Sequence, residues 1–125
     1  MNTQNEKVIQ SVLDRICPNH NTKGYVYISD AVGIVIEYRQ NRTIPRRVIH
    51  DVADMNNDSY SAADRAVNYF VSSTWNSDSA ALKQMFGYSV KPTVTNFVAT
   101  LADFIRLNYK ELENGTYQWR EANEK

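Results

Sequence analysis

Apolar residues recur every three or four positions along most of the chain, a spacing that predicts helices rather than strands. We expect six helices, over about residues 5–16, 25–39, 43–56, 60–75, 79–86 and from 95 onwards. The run VGIVIEY in the second segment is also typical of a strand, but the longer spacing that begins at Tyr25 favours a helix. The predicted fold class is therefore all-α, with a six-helix domain over residues 1–112 and a C-terminal tail over 113–125.

Local signals mark several of the helix boundaries. Thr43 and Thr95 are predicted to cap the third and sixth helices, because a threonine hydroxyl can accept a hydrogen bond from a first-turn N–H group. Pro45 fits the first turn of the third helix, and Gly87 is typical of the residue that follows a helix. The segment NNDSY between the third and fourth helices predicts a turn, so these two helices form a helix-turn-helix candidate.

The fourth predicted helix has two different faces. Wound as a helix, residues 59–70 place small or apolar side chains typical of a core on one side: Ala63, Ala66, Val67 and Phe70. The opposite side carries polar side chains: Ser61, Arg65, Asn68 and Tyr69. This pattern indicates either a solvated surface or a surface that enters the major groove of DNA.

Composition excludes some classes of protein and leaves others open. The 125 residues are 42% hydrophobic, enough for the core of one domain. The 14 basic and 14 acidic residues cancel, so the overall charge does not indicate a nucleic-acid partner, although a local basic patch could bind one. No apolar run is long enough to cross a membrane and the first residues are polar, so we expect a soluble cytoplasmic protein.

The sequence offers little for catalysis or metal binding. Cys17, His20 and His50 are the only cysteine and histidines, and their spacing does not resemble a zinc site. The chain contains no nucleophile elbow, phosphate-binding loop or dinucleotide fingerprint. We therefore expect no metal, no cofactor and no enzymatic activity.

Several short segments of the sequence are shared with a known family. KGYVYISDAV, HDVA, FGYSV, KPTVTNFVATLADFIRL and Trp75 occur in an order that resembles the C-terminal effector domain of the stage zero sporulation protein A family. The resemblance runs from about Val8 to Tyr109 and implies a six-helix DNA-binding domain with Tyr60–Trp75 as its recognition helix. In that family the domain follows a phosphorylatable receiver. Only about four residues precede the first predicted helix here, so we expect a stand-alone domain that no receiver of its own gates.

The resemblance also implies a base-reading surface on the fourth helix. The family has arginine at the positions of Ala62, Arg65 and Asn68 and glutamate at the position of Asp64, so only Arg65 is retained unchanged. Arg65 and Asn68 are predicted to read bases, with Ser61, Ala62 and Asp64 shaping the contact. Because arginine suits guanine and asparagine suits adenine, the expected operator differs from that of the family.

Basic residues around this surface are predicted to hold DNA phosphates. Arginines near the start of the third helix oppose its dipole, so helix stability does not explain them, whereas phosphate contact does. The predicted phosphate-binding set is Arg42, Arg46, Arg47, Tyr69, Lys83, Lys91 and Arg106. The alternative is ordinary surface charge, because four aspartates cancel the four arginines of residues 42–75.

The expected partner is double-stranded DNA, on which the resemblance implies that copies of the domain meet at tandem sites. In free solution we expect a monomer or a weak dimer, since the short helices offer no long coiled-coil seam. The alternative function is an interaction module that does not bind DNA and that antagonises or modulates a related full-length regulator.

Overall fold

Seven helices form the part of the chain that this computed structural model describes, residues 3–17, 22–40, 47–77, 79–87 and 90–119. They are α1 (Thr3–Ile16), α2 (Lys23–Gln40), α3 (Val48–Met55), α4 (Tyr60–Asn76), α5 (Ala80–Phe86), α6 (Val94–Leu107) and α7 (Tyr109–Asn114). No strand occurs in these ranges, which confirms the all-α prediction and the helical interpretation of VGIVIEY. None of these helices is long and apolar enough to cross a membrane.

The additional helix, α7, follows α6 after the single residue Asn108. Leu112 is its buried residue, and one apolar position cannot produce a detectable period. The sequence therefore predicted six helices where the described residues form seven. α7 ends at Gly115, which has the left-handed φ of 77° that favours glycine.

Helix α2 lies at the centre of the domain, in contact with α1, α3, α4 and α6. Its residues Ile28, Ala31 and Val32 have no solvent exposure. At its N-terminal end, Gly24 lies so close to α4 that a Cβ there would be 2.7 Å from the carbonyl oxygen of Ala66. A glycine is therefore required at this position if the two helices are to approach this closely.

The predicted helix end at Gly87 is confirmed, because Gly87 follows α5 with a φ of 65°. Ser79, which was not predicted as a cap, caps this helix by accepting the N–H of Leu82. The predicted cap at Thr95 is wrong, because Thr93 caps α6 and accepts the N–H of Asn96. The cap therefore lies two residues earlier than predicted, and Val94 becomes the first helical residue and packs against the core.

The start of the third helix also differs from the prediction. α3 begins at Val48, with Arg47 in the N-cap position and no side-chain capping bond. Thr43 and Pro45, which were expected to begin this helix, lie outside the described residues. The described helix is therefore shorter than the predicted span of 43–56.

The chain after α7 packs back onto the domain. We call residues Thr116–Trp119 the C-terminal strap. Its Tyr117 ring meets the Phe104 ring of α6 edge-on at 5.2 Å, and the Arg15 guanidinium of α1 lies 5.3 Å from the centre of the Trp119 ring. Gln84 of α5 donates hydrogen bonds to the Tyr117 hydroxyl at 2.8 Å and to the Gln118 carbonyl oxygen at 2.9 Å. The strap thus joins α1, α5 and α6.

Candidate nucleic-acid interface

Helices α3 and α4 are joined by the four residues Asn56–Ser59, which we call the α3–α4 turn. Asn57 has a φ of 53°, a left-handed conformation that asparagine tolerates better than most residues. The N–H of Asp58 then donates to the carbonyl oxygen of Ala53 at 2.9 Å. Ser59 caps α4 by accepting the N–H of Ala62. Asn57 and Ser59 therefore have local reasons to occupy this turn.

The two faces predicted for α4 are present in the structure. Ala63 and Val67 have no exposure and Phe70 has 3%, so this side belongs to the core. Ser61, Arg65, Asn68 and Tyr69 are exposed on the other side, with Tyr69 at 71%. Ala62 and Asp64 are half-buried at the edges of this surface. The exposed side of α4 from Ser61 to Tyr69 is called the α4 surface below.

Within the α4 surface, Asn68 bonds to the preceding turn of its own helix. Its amide nitrogen donates to the backbone carbonyl oxygen of Asp64 at 2.8 Å and to the Asp64 Oδ1 at 3.3 Å. The donor end of the side chain is thereby engaged, which leaves the Asn68 Oδ1 as its acceptor. The paired donor and acceptor contact expected with adenine requires the amide nitrogen to leave Asp64.

The predicted phosphate-binding residues do not all lie together. Lys91 reaches α4, where its Nζ donates to the Ser72 hydroxyl at 2.9 Å, one turn beyond Tyr69. Arg47 is exposed immediately before α3. These two residues and Tyr69 thus occur along or next to the α3–α4 pair. Arg42 and Arg46 lie outside the described residues.

The remaining two basic residues of that set lie on other helices. Lys83 is exposed on α5. Arg106 is in the last turn of α6, where its guanidinium lies 3.7 Å from the Asp103 carboxylate. A basic side chain in the last turn of a helix is favoured by the helix dipole, so the position of Arg106 has a local explanation.

An aromatic stack beside the α4 surface was missed at the sequence level. The rings of His50 on α3 and Tyr60 on α4 are nearly parallel, with centroids 4.0 Å apart and 14° between their planes. Tyr60 is 44% exposed. The two residues are ten positions apart across a turn, and no periodic pattern pairs such positions. Both residues carry rings that can stack, but the sequence does not show which rings meet.

The other two soft ligands considered in the sequence do not join His50. Cys17 is buried at the end of α1, and His20 lies outside the described residues. Within the described ranges, no three His, Cys, Asp or Glu side chains are grouped as a metal site would require.

The α3–α4 turn is hydrogen-bonded to α2 as well as to α3. Asp58 accepts hydrogen bonds from the Tyr27 hydroxyl at 2.7 Å and from the Lys23 ammonium at 3.2 Å. The bond from Tyr27 is the largest of the causes that lower the pKa of the Asp58 carboxyl below its ordinary value. The same bond raises the pKa of the Tyr27 phenol. Asn56 of the turn donates to the Asp30 carboxylate of α2 at 3.0 Å.

A short turn that leads into a helix with one buried and one exposed polar side occurs in helical DNA-binding domains and also in other all-α domains. The family model described as sporulation initiation factor Spo0A C terminal matches residues 9–105. The chain belongs to this family, which consists of DNA-binding effector domains of transcription regulation rather than enzymes. The resemblance noted in the sequence is thus confirmed.

Proposed function

We propose that this protein is a sequence-specific DNA-binding transcription regulator that places α4 in the major groove. Membership of a DNA-binding family supports the general class. The observation that carries the proposal is the orientation of α4, whose apolar side is buried while Ser61, Arg65 and Asn68 are exposed on the other side. The major groove is wide enough for a helix, and exposed side chains near the helix N-terminus reach base edges there.

Arg65 is the residue best suited to read guanine. Its side chain is exposed, and a guanidinium can donate two bonds to the O6 and N7 acceptors of that base. The exposed Ser61 and half-buried Ala62 lie one turn earlier in the same helix. Because both side chains are short, they permit close approach of the helix to the bases.

Asn68 is proposed to read adenine. In the arrangement held by Asp64, its Oδ1 can accept one hydrogen bond from the adenine N6 amino group. Release of the amide nitrogen would add a second bond, to N7. Arg47, Tyr69 and Lys91 are proposed to hold phosphates beside this surface. Arg42, Arg46, Lys83 and Arg106 are proposed as further phosphate contacts, and copies of the domain are proposed to meet on tandem DNA sites.

A second candidate function is an interaction module that modulates a related full-length regulator without binding DNA. Two observations favour it. Arg65 is the sole basic residue of the α4 surface, and the neighbouring Asp64 is an acid that would repel DNA. The two functions differ in their dependence on salt, because DNA binding weakens steeply with salt and apolar protein pairing does not.

Selection of bound sites from random duplexes tests the proposal. We expect the protein to enrich one short motif with guanine and adenine at neighbouring positions. Arg65→Ala serves as the matched control, because it removes the proposed guanine contact from an exposed position without disturbing the core. Failure of the unmodified protein to enrich any motif would favour the interaction module. Retention on heparin over a salt series then measures the electrostatic part of binding separately.

A further inference from the structure

The N-terminal end of α4 is attached to two other helices through one residue. Asp58 accepts the N–H of Ser59, the α4 cap, through Oδ1 at 2.9 Å. Its Oδ2 accepts the Tyr27 hydroxyl and the Lys23 ammonium, both from the first turns of α2. Its own N–H donates to Ala53 in α3. If the N-terminus of α4 moves relative to α2, the hydrogen bonds of the Asp58 carboxylate must therefore lengthen.

A second hydrogen bond joins the α3–α4 turn to α2, and in this bond the turn supplies the donor and α2 the acceptor. Here the carboxylate is Asp30 on α2 and the donor is Asn56 in the turn, with its amide nitrogen 3.0 Å from Asp30 Oδ2. That nitrogen also donates to the carbonyl oxygen of Val52 at 2.8 Å, which fixes the Asn56 side chain on α3. We call Lys23, Tyr27, Asp30, Asn56 and Asp58 the α2 clamp. Two separate bonded points hold the turn against rotation more firmly than one.

A third contact constrains α4 further along its length. A Cβ on Gly24 would lie 2.7 Å from the Ala66 carbonyl oxygen and 2.8 Å from the Phe70 Cβ, so the helices touch there without a side chain between them. Ala66 directly follows Arg65. The α2 clamp and Gly24 thus fix both the start and the middle of α4 against the same helix.

We propose that the α2 clamp positions the α4 surface for base reading, with Tyr27 and Asp58 as its main positioning residues; this inference rests on the proposed function. Tyr27 is only 4% exposed, so its hydroxyl is held by a packed ring. Lys23 is two-thirds exposed and contributes less, since water screens exposed ion pairs. Base contacts require alignment within about half an ångström. Long basic side chains, in contrast, can still reach a phosphate when the helix shifts by that distance. Loss of the clamp therefore weakens specific binding more than non-specific binding.

The experiment measures the ratio of the dissociation constants for mixed-sequence DNA and for the selected site. Tyr27→Phe keeps the packed ring and removes its bond to Asp58, and we expect the ratio to fall by about three- to tenfold, the effect of one hydrogen bond. Tyr25→Phe is the matched control, because it removes a 2.6 Å bond from the same helix to Asp14 on α1. The control should lower the melting temperature without lowering the ratio by more than about twofold.

A conservative pair of variants separates positioning from charge. Asp58→Asn keeps one acceptor oxygen, which can serve either Tyr27 or the Ser59 N–H, whereas Asp58→Ala removes every side-chain bond of the residue. We expect the asparagine variant to retain more of the specificity ratio than the alanine variant. Equal losses in both variants would show that only the charge matters, and would overturn the inference.

Arg65→Ala in the same assay distinguishes failure of the inference from failure of the proposed function. If Arg65→Ala lowers the ratio and Tyr27→Phe leaves it unchanged, the clamp is merely structural and the inference is wrong. If neither variant changes the ratio, or if the unmodified protein has no preferred site, the proposed function fails and the inference fails with it.

Discussion

The amide nitrogen of Asn68 lies 2.8 Å from the backbone carbonyl oxygen of Asp64 and 3.3 Å from its Oδ1, one turn earlier in α4. Asp64 therefore restrains a side chain that is proposed to read a base. Asp64→Ala removes the longer of these two bonds and keeps the one to the backbone carbonyl oxygen. The amide nitrogen is then held by one bond instead of two and leaves the helix more readily to donate to N7, so we expect a modest sharpening of the preference for adenine. Binding profiles from random duplexes would show the change at one base position.

The same substitution also removes a negative charge, which should strengthen binding to every DNA sequence. Asp54→Ala is the control for this charge effect, because Asp54 is an exposed acid on the neighbouring α3. If both variants change affinity equally and neither changes base preference, Asp64 acts only through its charge.

Arg65→Ala should cost about 1–3 kcal/mol of binding free energy on the preferred site and relax a single base position, because it removes a bidentate guanine contact. Asn68→Arg should shift the second position from adenine towards guanine. Titrations on duplexes that differ at these two positions would measure both effects. Unchanged profiles for both variants would mean that the α4 surface is only solvated.

Arg47→Ala and Lys91→Ala should weaken binding about equally on all sequences, because phosphate contacts carry no base information. Each true phosphate contact that is lost should flatten the plot of log affinity against log salt by roughly one unit. Arg46→Ala tests the same expectation for a residue outside the described ranges. An altered base preference with an unchanged salt slope would contradict this assignment.

Trp119→Ala should lower the free energy of unfolding by about 1–3 kcal/mol, less than the loss of a fully buried tryptophan, because the ring is half-buried. The loss includes its contacts with Phe104 and Tyr117 and the cation–π contact with Arg15. Thermal or urea unfolding measures the change. Tyr69→Ala is the control, since that ring is 71% exposed and its loss should hardly change stability.

Because the pKa of Asp58 is lowered in the folded protein, the difference in unfolding free energy between the protein and its Asp58→Asn variant should depend on pH in the acid range. The folded-state pKa of Asp58 is lowered, chiefly by the hydrogen bond from Tyr27. Its stabilising contribution is therefore fully present above the unfolded pKa of about 3.9 and is lost as the pH falls through the lower folded value. Urea unfolding should show a constant difference near neutral pH and a shrinking one below about pH 4. A difference that grows on acidification would contradict this sign.

The two faces of α4 could be predicted because apolar residues at a spacing of three or four positions mark the buried side of a helix. The Gly87 stop was also predictable, since it depends on local backbone conformation alone. Thr93 was missed because two threonines two positions apart can both cap a helix, and only the packing of Val94 selects between them.

Contacts between distant segments could not be predicted in this way. Tyr27 and Asp58 are 31 positions apart, and no periodic spacing links two such positions. The His50–Tyr60 stack and the strap depend in the same manner on how helices pack, and the spacing of residues along the chain does not show this packing. The α4 surface was thus visible in the sequence, whereas the groups that position it were not.

Because the C-terminal strap carries one of the two tryptophans, fluorescence can report whether the strap is docked. Of its two tryptophans, Trp75 near the end of α4 meets the Phe86 ring of α5 edge-on at 5.8 Å, whereas Trp119 lies against Phe104, Tyr117 and Arg15. Undocking of the strap would transfer Trp119 to water and shift its emission to longer wavelength, while the surroundings of Trp75 stay the same. Trp75→Phe would therefore leave Trp119 as the single tryptophan, and a red shift of its emission before helical structure is lost would report detachment of the chain end.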